Sequence, residues 1–259
     1  MRALALLLAV VALPAAAAEV RRCAPNDGPE CLAFTNNTNR IDLSKAAGPA
    51  PICNATEFRR RYRRAPCPSD TVWVCDAALR VSVCLDRTLR TGPDRRPIGG
   101  QTRDMCAAWC EARNRRLPTN HDYLAGCRGT PVEACLPADT PHPIVARLQS
   151  GRPWQVDGTN CRAGDNAWRQ TCMSDQTLNA PLNRPRPRCV APNGLRDMAG
   201  VLGQWVSDPV ERPGRPSLGQ FNGGFWAQPQ SSCSYTTTAH PPDWSDYSIG
   251  CRCALDAVR

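Results

Sequence analysis

Lysine is almost missing from this chain of 259 residues: Lys45 is the only one, so the 32 basic side chains, set against 23 acidic ones for a net charge of +9, are nearly all arginine. Arginine in place of lysine fits a GC-rich coding bias as well as it fits a binding function. Histidine is scarce too, with His121, His142 and His240 the only three, and none of them forms an H-x-x-x-H pair. Paired C-x-x-C knuckles are absent, the only close pairs being Cys106/Cys110 and Cys251/Cys253, so structural zinc is not expected. The longest apolar run, at 3–13, is too short to cross a bilayer, and no transmembrane segment is expected. No internal repeat is evident.

The first 18 residues read as a secretory signal peptide: a basic start at Arg2, the apolar run, Pro14, and a string of alanines ending in A-x-A. Val20, Arg21 and Arg22 before Cys23 lack the small apolar residues of a lipid-attachment signal. The mature chain is therefore expected to be soluble and exported, secreted or held in the periplasm or at the cell surface. All 16 cysteines lie beyond the signal, an even number that suits disulfides in an oxidising compartment.

Residues 19–70 are rich in Asn, Pro, Ala and Arg with little periodicity, and read as an irregular, cysteine-containing prefix. Its N-x-T sites at Asn36 and Asn54 are incidental in a chain that looks bacterial. Two arginine clusters, RRRYRR at 59–64 and RPRPR at 184–188, suit either an anionic partner or solvated loop surface. Neither has the interleaved aromatics that nucleic-acid stacking requires, so no nucleic-acid partner is expected.

From 72 to 85 the sequence alternates and is β-branched, predicting two short strands broken near 76–78. TRDMCAAWCEAR at 102–113 predicts a helix, with Met105, Ala108, Trp109 and Ala112 at i, i+3, i+4 and i+7 as its apolar stripe. Cys106 and Cys110 lie one turn apart on a neighbouring face, able to bond different partners. Thr119 is placed to cap a second, short helix beside Pro118.

Four motifs follow in order: RRLPTNHDY at 115–123, PNGLRDMAGVLGQW at 192–205, FNGGFW at 221–226 and IGCRCAL at 249–255. Together they resemble the formylglycine-generating enzyme (sulfatase-modifying factor) family, which writes them KRLPTEAEWE, GLYDMAGNVWEW, RGGSW and GFRC. CLDR at 84–87 is similar to the family's CIDRYEVT strand, so the domain is expected over 71–259. The resemblance implies an α+β, formylglycine-generating-enzyme-like (C-type-lectin-like) fold, loop-rich and stapled by disulfides.

It also implies a chemistry. The family oxidises a substrate cysteine with oxygen, using two cysteines after the GGSW-like turn that bind copper as thiolates. Counting from Trp226, Gln228 stands at the first of these positions and Cys233 at the second, so copper is not expected. The family's disulfides imply Cys110 with Cys253 and Cys127 with Cys233, which competes with any redox role for Cys233. His240 is the candidate base or donor beside Cys233, its alternative being a loop-fixing histidine. The related iron sulfoxide synthases place iron on histidines of an added bundle, for which this chain has neither the residues nor the room.

Calcium is the better metal candidate. The resemblance implies a loop with Asp197, Gly200, Leu202 and residue 204 as ligands, but Gln204 replaces the family's Glu and removes a charge. A second family site begins at Asn160 and Cys161. Among the tryptophans, Trp205 and Trp226 sit inside motifs and should be buried, while Trp168 and Trp244 are the candidate surface pair for stacking on a sugar. The sequence therefore points to a binding or structural protein with a protein or glycan partner, the rivals being a true cysteine oxidoreductase and a carbohydrate-binding module.

Overall fold

The structure, a computed structural model, describes residues 51–62, 65–136, 154–156, 159–161, 186–228 and 230–257, the two three-residue segments by backbone only. The signal peptide, most of the prefix and Trp168 lie outside the described residues. No described helix is long and apolar enough to cross a membrane.

The alternating segment forms β1 (Thr71–Asp76) and β2 (Val81–Asp86), an antiparallel pair in register from Thr71↔Asp86 to Asp76↔Val81. Asp76 breaks the run where expected, its carboxylate accepting from the amides of Ala78 and Leu79. Both faces of β2 are covered. Val81, Val83 and Leu85 pack against Leu124, Leu195 and Met198 on one side, while Cys84 joins Phe58 on the other.

Phe58 belongs to a helix that the sequence did not announce. Within the prefix expected to be irregular, α1 (Ala55–Tyr62) forms because Asn54 caps it, its side chain accepting from the amides of Thr56 and Glu57. Phe58 and Tyr62, one turn apart, turn towards Trp73. The bridges Cys53–Cys75 and Cys67–Cys84 pin the chain on either side of α1 to β1 and β2.

The second helix, α2 (Arg103–Glu111), has Thr102 as its cap, the hydroxyl accepting from the amide of Met105. Its buried face is not the predicted stripe. Met105 is 47% exposed and Ala108 and Ala112 face solvent, whereas Cys106 and Cys110 are buried. The disulfides Cys106–Cys251 and Cys110–Cys253 decide the orientation by pulling the cysteine face inward. Trp109 is left half-buried, with the guanidinium groups of Arg113 and Arg90 at 4.5 and 5.3 Å from its ring.

After α2 the chain makes α3 (Asn120–Cys127), closed at its start by a reciprocal cap between Thr119 and Asp122. A short 3-10 turn (Val132–Ala134) is followed by the antiparallel pair β3 (Trp154–Val156) and β4 (Thr159–Cys161). The long hairpin of β5 (Gly203–Arg212) and β6 (Arg215–Asn222) comes next. Strands β7 (Thr236–Thr237) and β8 (Ile249–Gly250) pair with β6 and β5, the latter in parallel, while β9 (Ala254–Asp256) joins β2. The architecture is mixed α+β and loop-rich, with six disulfides among the described residues and no free cysteine among them.

Candidate functional site

The turn after β6 is where the resemblance places the copper ligands, and two glycines shape it. Gly223 and Gly224 have φ of 97° and 68°, a region that side-chain-bearing residues rarely adopt. The chain then runs through Phe225 and the fully buried Trp226 to Gln228, whose amide Nε2 donates to the Tyr235 hydroxyl at 2.5 Å. Ser231 closes the turn by donating to the Phe225 carbonyl at 3.0 Å.

Cys233, half-buried on this loop, is bonded to Cys127 at the end of α3. The Tyr123 hydroxyl lies one helical turn before Cys127, donating to the Met198 carbonyl at 2.5 Å and 3.6 Å from the Cys127 sulfur. Burial pushes the Tyr123 phenol pKa well above its ordinary value, so it is a fixed donor. A monovalent copper ion held by two thiolates does not fit this donor set, which offers an amide engaged with a phenol and a sulfur consumed in a disulfide. His240 is elsewhere: its ring stacks between Phe221 at 5.8 Å and Trp244 at 4.5 Å, in the cluster with Trp205, whereas Cys233 packs against the core of Leu124 and Leu195.

The loop leading into β5 was the calcium candidate. Asp197 there has φ of 57° and Gly200 of 74°, and Leu202 is fully buried. Gln204 Nε2 donates to the carbonyls of Asp197 and Met198 at 3.0 and 2.8 Å, and its Oε1 accepts from Arg252 Nε at 2.8 Å. These partners fix the amide: only its nitrogen can face two carbonyls, and only its oxygen can face a guanidinium. The Asp197 carboxylate is itself 3.6 Å from Arg186. Both side chains that the resemblance nominated as ligands are thus held by arginines, and a divalent cation does not fit the arrangement. Asn160 and Cys161 fall on β4, where only the backbone is described.

Arg252, between Cys251 and Cys253, is the residue that the sequence reading missed. It is fully buried, and beside Gln204 it donates to the backbone carbonyls of Asp86, Arg196 and Asp197. Burial lowers its pKa to about 10 against the opposing pull of the Asp197 and Asp86 carboxylates, so it is charged at neutral pH. One signal was available: an arginine flanked by two cysteines, both in disulfides, cannot reach far from the core they anchor. A second polar group, also unforeseen, joins Arg113 and Arg115 to Asp70 and Asp86, tying the chain after α2 to the first sheet.

Trp205 and Trp226 are fully buried as expected. Trp244, expected at the surface, is half-buried, one face covered by His240 and its indole N–H donating to Asp246 at 3.2 Å.

No curated protein sequence matches the chain. Among solved structures it is similar to the Major Tropism Determinant I1 and U1 variants, each at 15% identity and a TM-score of 0.46, over 74% of this chain and 54% and 53% of theirs. The chain thus spans about half the length of those proteins. It is also similar to CarF, at 16% identity and a TM-score of 0.36, over 78% of this chain and 79% of that one. The model of the sulfatase-modifying factor enzyme 1-like domain matches residues 84–257, beginning in β2 and taking in the glycine turn, the Gln204 loop and Arg252, and the chain belongs to that family.

Proposed function

We propose that this chain is an exported member of the family that keeps the fold without the copper-dependent oxidation of cysteine, and serves as a binding or structural protein. The observation that carries the reading is Gln228. It stands where the chemistry takes a thiolate, and its amide is engaged with Tyr235. The disulfide of Cys233 with Cys127 supports it from the other side, because a bridged sulfur is neither a nucleophile nor a thiolate ligand.

The test is anaerobic titration with monovalent copper, followed by exposure to oxygen in the presence of a peptide containing C-x-P-x-R. The expected result is no stoichiometric copper uptake and an unchanged peptide cysteine. Specific uptake with oxygen-dependent aldehyde formation would sink the proposal.

A further inference from the structure

We propose that the outer face of α1 is a docking site for an anionic polysaccharide. This goes beyond the reading above and uses no part of the copper argument. The helix has a fixed orientation: Phe58 is buried, Tyr62 packs on it at 4.6 Å, and disulfides at Cys53 and Cys67 hold both flanks to the sheet. With Phe58 and Tyr62 inward, Arg60 lies on the opposite side and Arg59 and Arg61 flank it, and all three are exposed. Glu57 is the only acidic residue of the helix and pairs with Arg60, which still keeps 74% of its side chain exposed. Among the described residues Arg59 has no ion pair, and the Arg61 guanidinium lies 5.5 Å from the centroid of the Tyr62 ring.

The chemistry of the face selects its partner. Guanidinium groups grip carboxylates and sulfates through paired N–H donors, and pre-ordering them on a stapled helix lowers the entropy lost on binding. A lipid surface would reward large apolar side chains on the same face as the charges, but Phe58 is buried and Tyr62 packs against it. Stacking on nucleic-acid bases needs an open aromatic ring, and the ring of Tyr62 is part-buried against Phe58 with the Arg61 guanidinium 5.5 Å away. A flexible, repeating polyanion needs neither insertion nor stacking, and its carboxylates or sulfates match the exposed guanidinium groups. The net charge of +9 would draw such a chain in from a distance.

Dextran sulfate and neutral dextran are suitable probes, with binding measured by calorimetry at low and at physiological salt. Two variants of equal charge separate the patch from the overall field. Arg59→Gln/Arg60→Gln/Arg61→Gln removes the face, and Arg95→Gln/Arg96→Gln/Arg215→Gln removes three exposed arginines elsewhere; each set contains one residue in an ion pair. We expect dextran sulfate to bind and neutral dextran not to, with affinity falling about tenfold or more in the α1 variant and far less in its control. The single change Arg59→Gln, which breaks no side-chain hydrogen bond or ion pair among the described residues, should give an intermediate loss and keeps the test valid if the triple variant melts early. Equal losses in both triple variants, no binding to dextran sulfate, or tighter binding to phosphatidylglycerol vesicles or a DNA duplex would each overturn the proposal.

Discussion

The Tyr123 hydroxyl lies 2.5 Å from the point where a Cβ on Gly223 would stand, and the Met198 carbonyl lies 2.9 Å from it. The glycine turn and the aromatic residue of α3 are therefore fitted to one another. Gly223→Ala should be destabilising by about 3 kcal/mol or more, because it adds a clash to a left-handed φ. Tyr123→Phe removes a buried donor and should cost about 1–2 kcal/mol. In the double variant the ring carbon at 3.4 Å replaces the hydroxyl, while the Met198 carbonyl at 2.9 Å and the left-handed φ remain, so the two effects should add to less than their sum with part of the cost of the alanine persisting. Chemical denaturation of the four proteins of this cycle provides the measurement, and strict additivity would show that the contact is not what forbids a side chain at 223.

The motifs were legible because their residue types answer local needs: glycines for positive φ, Thr119 for a helix cap, cysteines for fixed crosslinks. The first sheet was legible for the same reason, through the alternation of Val81, Val83 and Leu85. The orientation of α2 was not. Its apolar stripe and its cysteine face lie side by side, and only the distant partners Cys251 and Cys253 decide which turns inward. Helix α1 was hidden because an arginine run reads as solvated loop until Asn54 and Phe58 are seen to cap and anchor it. The roles of Gln204 and Arg252 depend on a contact across 48 positions of sequence, which no local pattern reveals.

Arg252 should be among the least replaceable residues of the chain. Arg252→Met leaves the carbonyls of Asp86 and Arg196 and the Gln204 oxygen without their donor, a loss on the order of 3–5 kcal/mol. Arg252→Lys keeps the charge but cannot span those acceptors, and should recover only part of it. Because arginines already hold Gln204 and Asp197, adding calcium or a chelator should leave the melting temperature unchanged. A calcium-dependent rise in the wild-type protein would show that the loop opens to a cation after all.

Acid should loosen the cluster of Asp70, Asp86, Arg113 and Arg115. The pKa of Asp70 is lowered: desolvation is the largest single influence and pushes upward, but the hydrogen bond and charge of Arg115, with help from Arg113, outweigh it. A carboxylate with a depressed folded pKa stabilises the protein above its unfolded value, near 3.8, and loses that stabilisation as pH falls through the lower folded value. Asp70 is half-exposed, so the effect is modest. Asp70→Asn should therefore lower stability modestly at pH 7 and lose that difference as pH falls below about 4, so that its acid profile is the flatter of the two. An identical acid profile in the variant, read by denaturant midpoint against pH, would remove Asp70 from the account.

The same physical logic predicts how a copper-binding donor set is regained. Cys127→Ser alone frees Cys233 but supplies one sulfur, which is a poor site for monovalent copper. Adding Gln228→Cys replaces the amide bound to Tyr235 with a second thiol on the same short loop. The combined variant is therefore expected to take up one monovalent copper ion per chain under anaerobic conditions, while the single variant and the wild-type protein do not. Losing the bridge costs roughly 4 kcal/mol by the loop-closure argument, and the five other disulfides keep the rest of the described chain stapled. Spectroscopic titration reads the outcome directly. If Cys127→Ser binds copper as tightly as the double variant, the residue at 228 is not what separates this chain from a copper-binding relative, and the scaffold reading loses its support.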